Sequence, residues 1–463
     1  MTISPPDALG ALWRSGQMDE ASTGRLRLSG AEPALPSSFA VGTAAQVSLG
    51  AAALAASEMG RLRNGLVQDV AVDMREAALE CSSYFTLDGR APRLWDPIAG
   101  LYACRDGGWV RLHTNFAHHR DGALALLGLP PGEGMPREAV AAALASWSAD
   151  AFEDAAAEAG LVAAALRSVA AWERHPQHAA VASLPLVELT RLGDAPPLAW
   201  PPLAGDARPL TGLRVLELTR ILAGPAAGRT LAAYGADVLL VNAPHLPNIA
   251  SLADMSRGKR SAHADLRRAD DREAFETALA GSHVVLQSYR PGALVALGYG
   301  AADLARLRPG IVAASLSAYG RRGPWAGRRG FDSLVQTATG FNDAEARAAG
   351  VATPKPLPVQ ILDMASGFLL AFGIATALMR QRAEGGSWHV EVSLARTGLW
   401  LRALGRIANG FAAPAADYAG QLEHSDSGFG RLAALRHAAR FSVTPARYDR
   451  PAVPPGTDRL AWH

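Results

Sequence analysis

A single ionisable side chain interrupts the apolar run PVQILDMASGFLLAFGIATALM, Pro358 to Met379, and it is Asp363. Burying a carboxylate is costly unless it is hydrogen-bonded, paired or put to chemical use. Two roles fit the position. At the start of a helix-like run Asp363 can be an N-cap, its oxygens accepting backbone N–H groups at the positive end of the helix dipole. The same N–H groups keep a carboxylate ionised, and an ionised, partly desolvated carboxylate is a nucleophile. The residue alone does not choose between them.

The other groups with chemical capacity are cations. They stand in SRGKRS (Ser256–Ser261), at Arg290, and in GRRGPWAGRRGFD, which holds Arg321, Arg322, Arg328 and Arg329. In loops at one end of a sheet, guanidinium groups suit a phosphorylated ligand; basic loops are also often simply solvated. The two cysteines, Cys81 and Cys104, form no CxxC pair, and no His/Cys cluster has metal-ligand spacing. The pair His118–His119 lacks a third ligand and reads as surface. There is no GxGxxG, no GxxxxGK[ST] and no GxSxG, which argues against a dinucleotide site, a P-loop and a serine-hydrolase elbow.

The elements that must position these groups alternate strand and helix from Gly212 onward. LRVLEL, DVLLV, HVVLQSY and IVAASLS read as buried strands, with helices between them. That pattern predicts an open parallel sheet covered on both faces, with its ligand beyond the carboxyl ends of the strands. The turns there are Thr219–Pro225, Tyr289–Gly292 and Tyr319–Asp332. Residues 343–358 read as a loop, Ala365–Arg382 as a helix, and HVEVSL as the next strand. Before Gly212, a helix over about 44–62 leads to the strand DVAVDM and to a hairpin in GLYACRDGGWVRLH with Asp106–Gly107 as its turn. EAVAAALASW and ADAFEDAAAEAGLVAAALRSVAAW follow as helical segments, and the Pro-rich residues 194–210 read as a linker. The helix–strand–helix unit around Val70 aligns without gaps to that around Val390, an offset of 320 residues. In that register Asp363 corresponds to Thr43, so one copy lacks the acid.

At 463 residues the chain exceeds the usual single-domain size. Its 49% hydrophobic and 19% charged residues give a sizeable core. A net charge of +2 gives no reason to expect nucleic acid or a membrane surface. No signal-like N-terminus and no uncharged apolar run of spanning length are present, so a reducing cytoplasm is the expected setting.

The run LRVLELTRILAGPAAGRTLAAYGADVLLV, then RGKRSAHADLR, YRPGALVALGYG, LSAYGRRGPWAGRRGFDSLVQTATG and the block around Asp363 resemble the family III CoA-transferases over roughly residues 210–399. That group includes formyl-CoA and carnitine CoA-transferases, with α-methylacyl-CoA racemase as a relative. The tail RFSVTPARYDRPAVPPGTDRL resembles the family's C-terminus. The resemblance implies an α/β fold, an open Rossmann-like parallel sheet plus a smaller α+β domain. It implies Asp363 as the nucleophile that attacks an acyl-CoA thioester. CoA contacts implied by matching positions are Arg220, Ile221, Leu222 and Ala223 in the first turn, then Leu266 and Arg267. Ser288, Tyr289, Arg290 and Leu297 follow, and Arg329, Gly330 and Phe331 stand beside the thioester. The implied partners are acyl-CoA and a small carboxylic acid, with no permanent cofactor and no metal.

Departures accompany the match. The racemase histidine position is Phe331, which removes one base of a two-base racemase and leaves Asp332 a structural reading. Asn242, Ala243, Ser288 and Ala296 replace residues the family often has, which implies weaker or altered CoA binding. Residues 94–189 resemble the family's small domain, in YACRDGGWVRL and ERHPQHAAV, yet precede the large-domain blocks. The implied order is a partial copy of the large domain (1–93), a small domain (94–193), a linker (194–210) and a large domain (211–463) whose own small-domain region is cut down. Family members are interlocked dimers, so this chain either supplies both halves or dimerises. Three activities follow: CoA transfer, CoA binding without catalysis, and acyl-CoA racemisation or isomerisation.

Overall fold

A computed structural model describes residues 2–462. Its largest sheet has seven strands, in the spatial order Arg260–His263, Asp237–Asn242, Arg214–Leu218, Val284–Gln287, Val312–Ser317, Ser387–Ser393 and Glu188–Gly193. The first six are parallel and the last is antiparallel. These strands are rich in Val, Leu and Ala and are covered on both faces, as a parallel sheet requires. In chain order the parallel strands run 3-2-1-4-5-6. The order reverses between Arg214–Leu218 and Val284–Gln287, and a crevice opens beyond the carboxyl ends there. The α/β open-sheet expectation holds.

Helix Ile361–Glu384 is long and apolar enough to cross a membrane, but its apolar window is wholly buried. It packs between helices Val41–Asn64 and Ala223–Ala233. Contact with the latter is close: a Cβ on Gly367 would lie 2.6 Å from the Ala223 carbonyl oxygen.

Helices Val41–Asn64 and Ile361–Glu384 have 24 residues each and stand in the register of the 320-residue offset. The residues before them, Ala40 and Gln360, have φ/ψ of −77/60° and −79/62°. Each helix leads to a strand (Val70–Asp73, Ser387–Ser393) and then a helix (Met74–Glu80, Leu394–Ala403). Val70–Asp73 lies in a three-stranded sheet between Leu26–Ser29 and Ala439–Phe441. Gly100–Ala103, Trp109–Leu112 and Ala163–Ala165 form a separate antiparallel sheet. Helices Ala117–Leu126, Arg137–Leu144 and Ala149–Glu158 cover it around a core that includes Val110, Leu124 and Phe152. Residues 194–210 hold no helix or strand. Arg63 donates to the carbonyls of Pro201 and Pro209 at 2.6 and 2.7 Å, tying this stretch to the first long helix.

Three element readings are corrected. The stretch 149–172 is not one helix: Gly160 (φ 70°) ends the first helix, and strand Ala163–Ala165 precedes helix Val169–Arg174. Residues 343–358 are not all loop. Helix Phe341–Ala349 is bounded by Gly340 (φ 94°) and Gly350 (φ 66°), both left-handed, and its alanines favour the helix between those stops. The helix holding Asp363 starts at Ile361, not Ala365.

Candidate active site

Above the reversal point lies a cavity of about 390 Å³. Arg220, Ile221, Leu222, Ala223, Leu266, Arg267, Ser288, Tyr289, Arg290, Leu297, Arg329, Gly330, Phe331 and Asp363 all line it. The turn after strand Arg214–Leu218 supplies the first four. Ile221 there has φ 77°, a backbone region that costs a β-branched residue about 1–3 kcal/mol and collects at functional sites. The first turn of helix Ala223–Ala233 has no side-chain cap and borders the cavity at Ala223 and Gly224. Free N–H groups at such a terminus favour an anion.

Asp363 is the third residue of its helix, so it is not the N-cap; Gln360 stands there and makes no side-chain cap bond. The helix end is instead held by Asp332, whose Oδ2 accepts the Asp363 N–H at 2.9 Å. Asp332 also accepts from the Leu362 backbone and the Gln336 amide. Burial raises the Asp332 carboxyl to about 6, against those three donors and the Arg111 charge. Burial and the neighbouring Asp332 charge push Asp363 well above the usual carboxylate range. Asp332, with its donors, is the member that ionises first; Asp363, 6% exposed and facing the cavity, holds its proton longer. The other repeat keeps the clasp without the acid: Glu32 Oε1 accepts the Thr43 N–H at 2.7 Å.

A raised folded-state pKa means the native protein binds the Asp363 proton more tightly than the unfolded chain. The stability this contributes is fully present below the unfolded value of about 4 and is lost as pH rises through the folded value. Asp363→Asn removes that loss. The expected result is that the variant gains on wild type in urea-unfolding midpoint between pH 5 and pH 8. Parallel pH profiles would contradict the assignment.

The cation clusters divide. SRGKRS does not face the cavity. Arg257 pairs with Asp254 and Glu423, Lys259 with Glu217 and Arg260 with Asp237, all three cations at most 3% exposed. The cluster is structural because its neighbours carry the matching carboxylates. Arg321 is taken by Glu188 and Glu391. Arg267 lines the cavity but is exposed and bonded to Asp265. Arg328, also in the lining, sits over Trp325 and reaches Glu153. Among the described residues Arg290 and Arg329 have no carboxylate within ion-pair range. Burial and the Arg290 charge lower the Arg329 pKa.

One wall was missed. Phe116, His118, His119 and Val162 line the cavity from the small antiparallel unit; the surface reading of the pair holds for His118, which is exposed, and is corrected for His119, which is only 5% exposed. The segment docks through rings. His113 stacks on Phe331 with centroids 3.9 Å apart, Phe116 lies 6.4 Å from Phe331, and the Arg220 guanidinium sits 4.7 Å over Phe116. Three histidines within seven residues straight after a strand were the available signal. Among the described residues no group of three or more His, Cys, Asp or Glu is placed to hold a metal.

A family model described as CoA-transferase family III matches residues 210–412. The matched segment supplies the turns, the arginines and Asp363, while the histidine wall lies outside it. Among curated relatives, the chain is 33% identical over 216 residues to the probable fatty acyl-CoA transferase Rv3272 of Mycobacterium tuberculosis, covering 44% of this chain and 54% of that protein. It is 30% identical over 205 residues to succinate–glutarate CoA-transferase of Agrobacterium fabrum, covering 40% of this chain and 51% of that protein. The chain thus spans about half the length of these curated relatives. A solved structure of Rv3272 in an orthorhombic crystal form is 33% identical, with 43% of this chain and 57% of that chain covered and a TM-score of 0.40.

Proposed function

We propose that the protein moves CoA from an acyl-CoA donor to a small carboxylic acid through a covalent intermediate on Asp363. The observation that carries this is one buried carboxylate opening onto a cavity that Arg290 and Arg329, neither with a carboxylate in ion-pair range, also line. The two relatives carry the names probable fatty acyl-CoA transferase and succinate–glutarate CoA-transferase, and those names support the same reaction class here.

The steps balance as follows. Ionised Asp363 attacks the thioester carbonyl; the C–S bond breaks, leaving an aspartyl–acyl anhydride and CoA thiolate. The thiolate attacks the aspartyl carbonyl and releases the donor carboxylate, leaving an aspartyl-CoA thioester. The acceptor carboxylate attacks that thioester, giving a second anhydride and thiolate again. The thiolate then takes the acceptor acyl group and frees Asp363. Every intermediate is hydrolysable, so the enclosing wall of Phe116, Val162 and Phe331 serves to exclude water. Phe331 offers no base, which disfavours the racemase alternative. A cytoplasmic setting without nucleic-acid or membrane partners belongs to the same reading. With one acid in two repeats, one reactive site per chain is expected.

The test is trapping. Incubation with acetyl-CoA followed by hydroxylamine or borohydride is expected to modify Asp363 alone, as read by peptide mass spectrometry. Modification elsewhere, or none with any acyl-CoA tried, would sink the covalent route and leave CoA binding without catalysis.

A further inference from the structure

The wall that closes the cavity carries a polar group with nothing to bind. His119 is 5% exposed, lines the cavity, and its Nδ1 has no hydrogen-bond partner among the described residues. Leaving a buried polar nitrogen unpaired costs about 1–3 kcal/mol, so a protein that keeps one beside an open cavity has a ligand to account for it. The ring stands 4.0 Å from that of His118 and 6.1 Å from that of Phe116, and Arg329 and Arg220 are close enough to act on it electrostatically. Burial, then His118 and those two arginines, hold its pKa at about 3. The imidazole is therefore neutral at working pH, with one donor and one acceptor nitrogen.

A neutral ring beside arginines divides the labour. The arginines take the phosphates. An uncharged donor and acceptor suits the uncharged polar part of the same ligand, its amides and thioester carbonyl. Resting on the acyl-CoA reading above, we infer that His119 is a substrate-contacting residue that hydrogen-bonds the pantetheine–thioester arm of the bound acyl-CoA, supplied in cis by the small antiparallel unit.

Calorimetry with two probes separates this from the alternatives. Acetyl-CoA carries the arm; adenosine 3′,5′-bisphosphate carries the nucleotide end without it. His119→Ala is expected to weaken acetyl-CoA about 10- to 100-fold, the worth of one buried hydrogen bond, and to leave the bisphosphate unchanged. His119→Gln, which keeps an amide donor and acceptor, is expected to recover most of the loss, which a merely structural ring would not permit. Equal weakening of both probes would assign the ring to the phosphates, and an unchanged acetyl-CoA affinity would remove it from the ligand; either overturns the inference. The readout is binding, so it stands even if Asp363 forms no adduct. Failure of wild type to bind either probe would instead bring down the acyl-CoA reading and this inference with it.

Discussion

Asp363→Ala is expected to reduce CoA transfer by about 10⁴-fold or more, to the level of background thioester hydrolysis, while acyl-CoA still binds. The size follows from the role. A residue that lends a hydrogen bond to a transition state slows a route; a residue that forms the covalent intermediate is the route. Neither nearby acid is free to replace it: Asp265, also in the cavity lining, is bonded to Arg267. Asp332 is fully buried and is not part of the cavity lining, its oxygens being spent on the Asp363 N–H, the Leu362 backbone and the Gln336 amide. Initial rates of CoA exchange between donor and acceptor, with calorimetry on the same preparation, check both halves. Transfer persisting at wild-type rate would end the account. Loss of binding together with transfer would mean that Asp363 holds the site's shape.

How much of this was legible before the fold was seen depends on what each residue's surroundings share with its sequence neighbours. Asp363 stood out because a lone carboxylate in an apolar run is a local anomaly. The turn Thr219–Pro225 was placed by the strand before it and the helix after it; the CoA positions in it and in the later turns came from the family resemblance, and with Asp363 all fourteen line one cavity. The repeat was legible because helix, turn and strand recur at a fixed offset. What failed depended on distant partners. In SRGKRS, Asp254 is a local partner for Arg257, but Glu423 also answers Arg257, Glu217 answers Lys259 and Asp237 answers Arg260, and nothing local says that those three carboxylates meet them. His118 and His119 face the cavity only because His113 stacks on Phe331, more than two hundred residues later. The N-cap reading of Asp363 failed for the same reason: Asp332 serves that helix end from a separate segment.

The second large effect lies beneath the site. Lys259 and Glu217 are both fully buried and pair at 2.8 Å. The same ammonium donates to the Pro225 carbonyl at 2.9 Å, in the first turn of the helix that borders the cavity, and Thr219 donates its hydroxyl to the Glu217 carboxylate. Burial works against both charges, raising the Glu217 pKa and lowering that of Lys259. The surroundings are tight: a Cβ on Gly228 would lie 1.9 Å from Glu217 Oε2. Lys259→Met therefore strands a carboxylate in the core beside a single hydroxyl. The expected cost is about 3–5 kcal/mol, a large part of the roughly 5–15 kcal/mol that holds a typical protein folded. Urea midpoints or soluble yield will show it. Replacing both partners, Glu217→Leu with Lys259→Met, removes both desolvation terms and is expected to restore most of the stability. It does not restore the bond to Pro225, so the double variant is expected to fold while binding acyl-CoA more weakly than wild type. A double variant that folds and binds as wild type would show that the pair serves only the core; a Lys259→Met protein as stable as wild type would show that the buried charge is answered by something other than its partner.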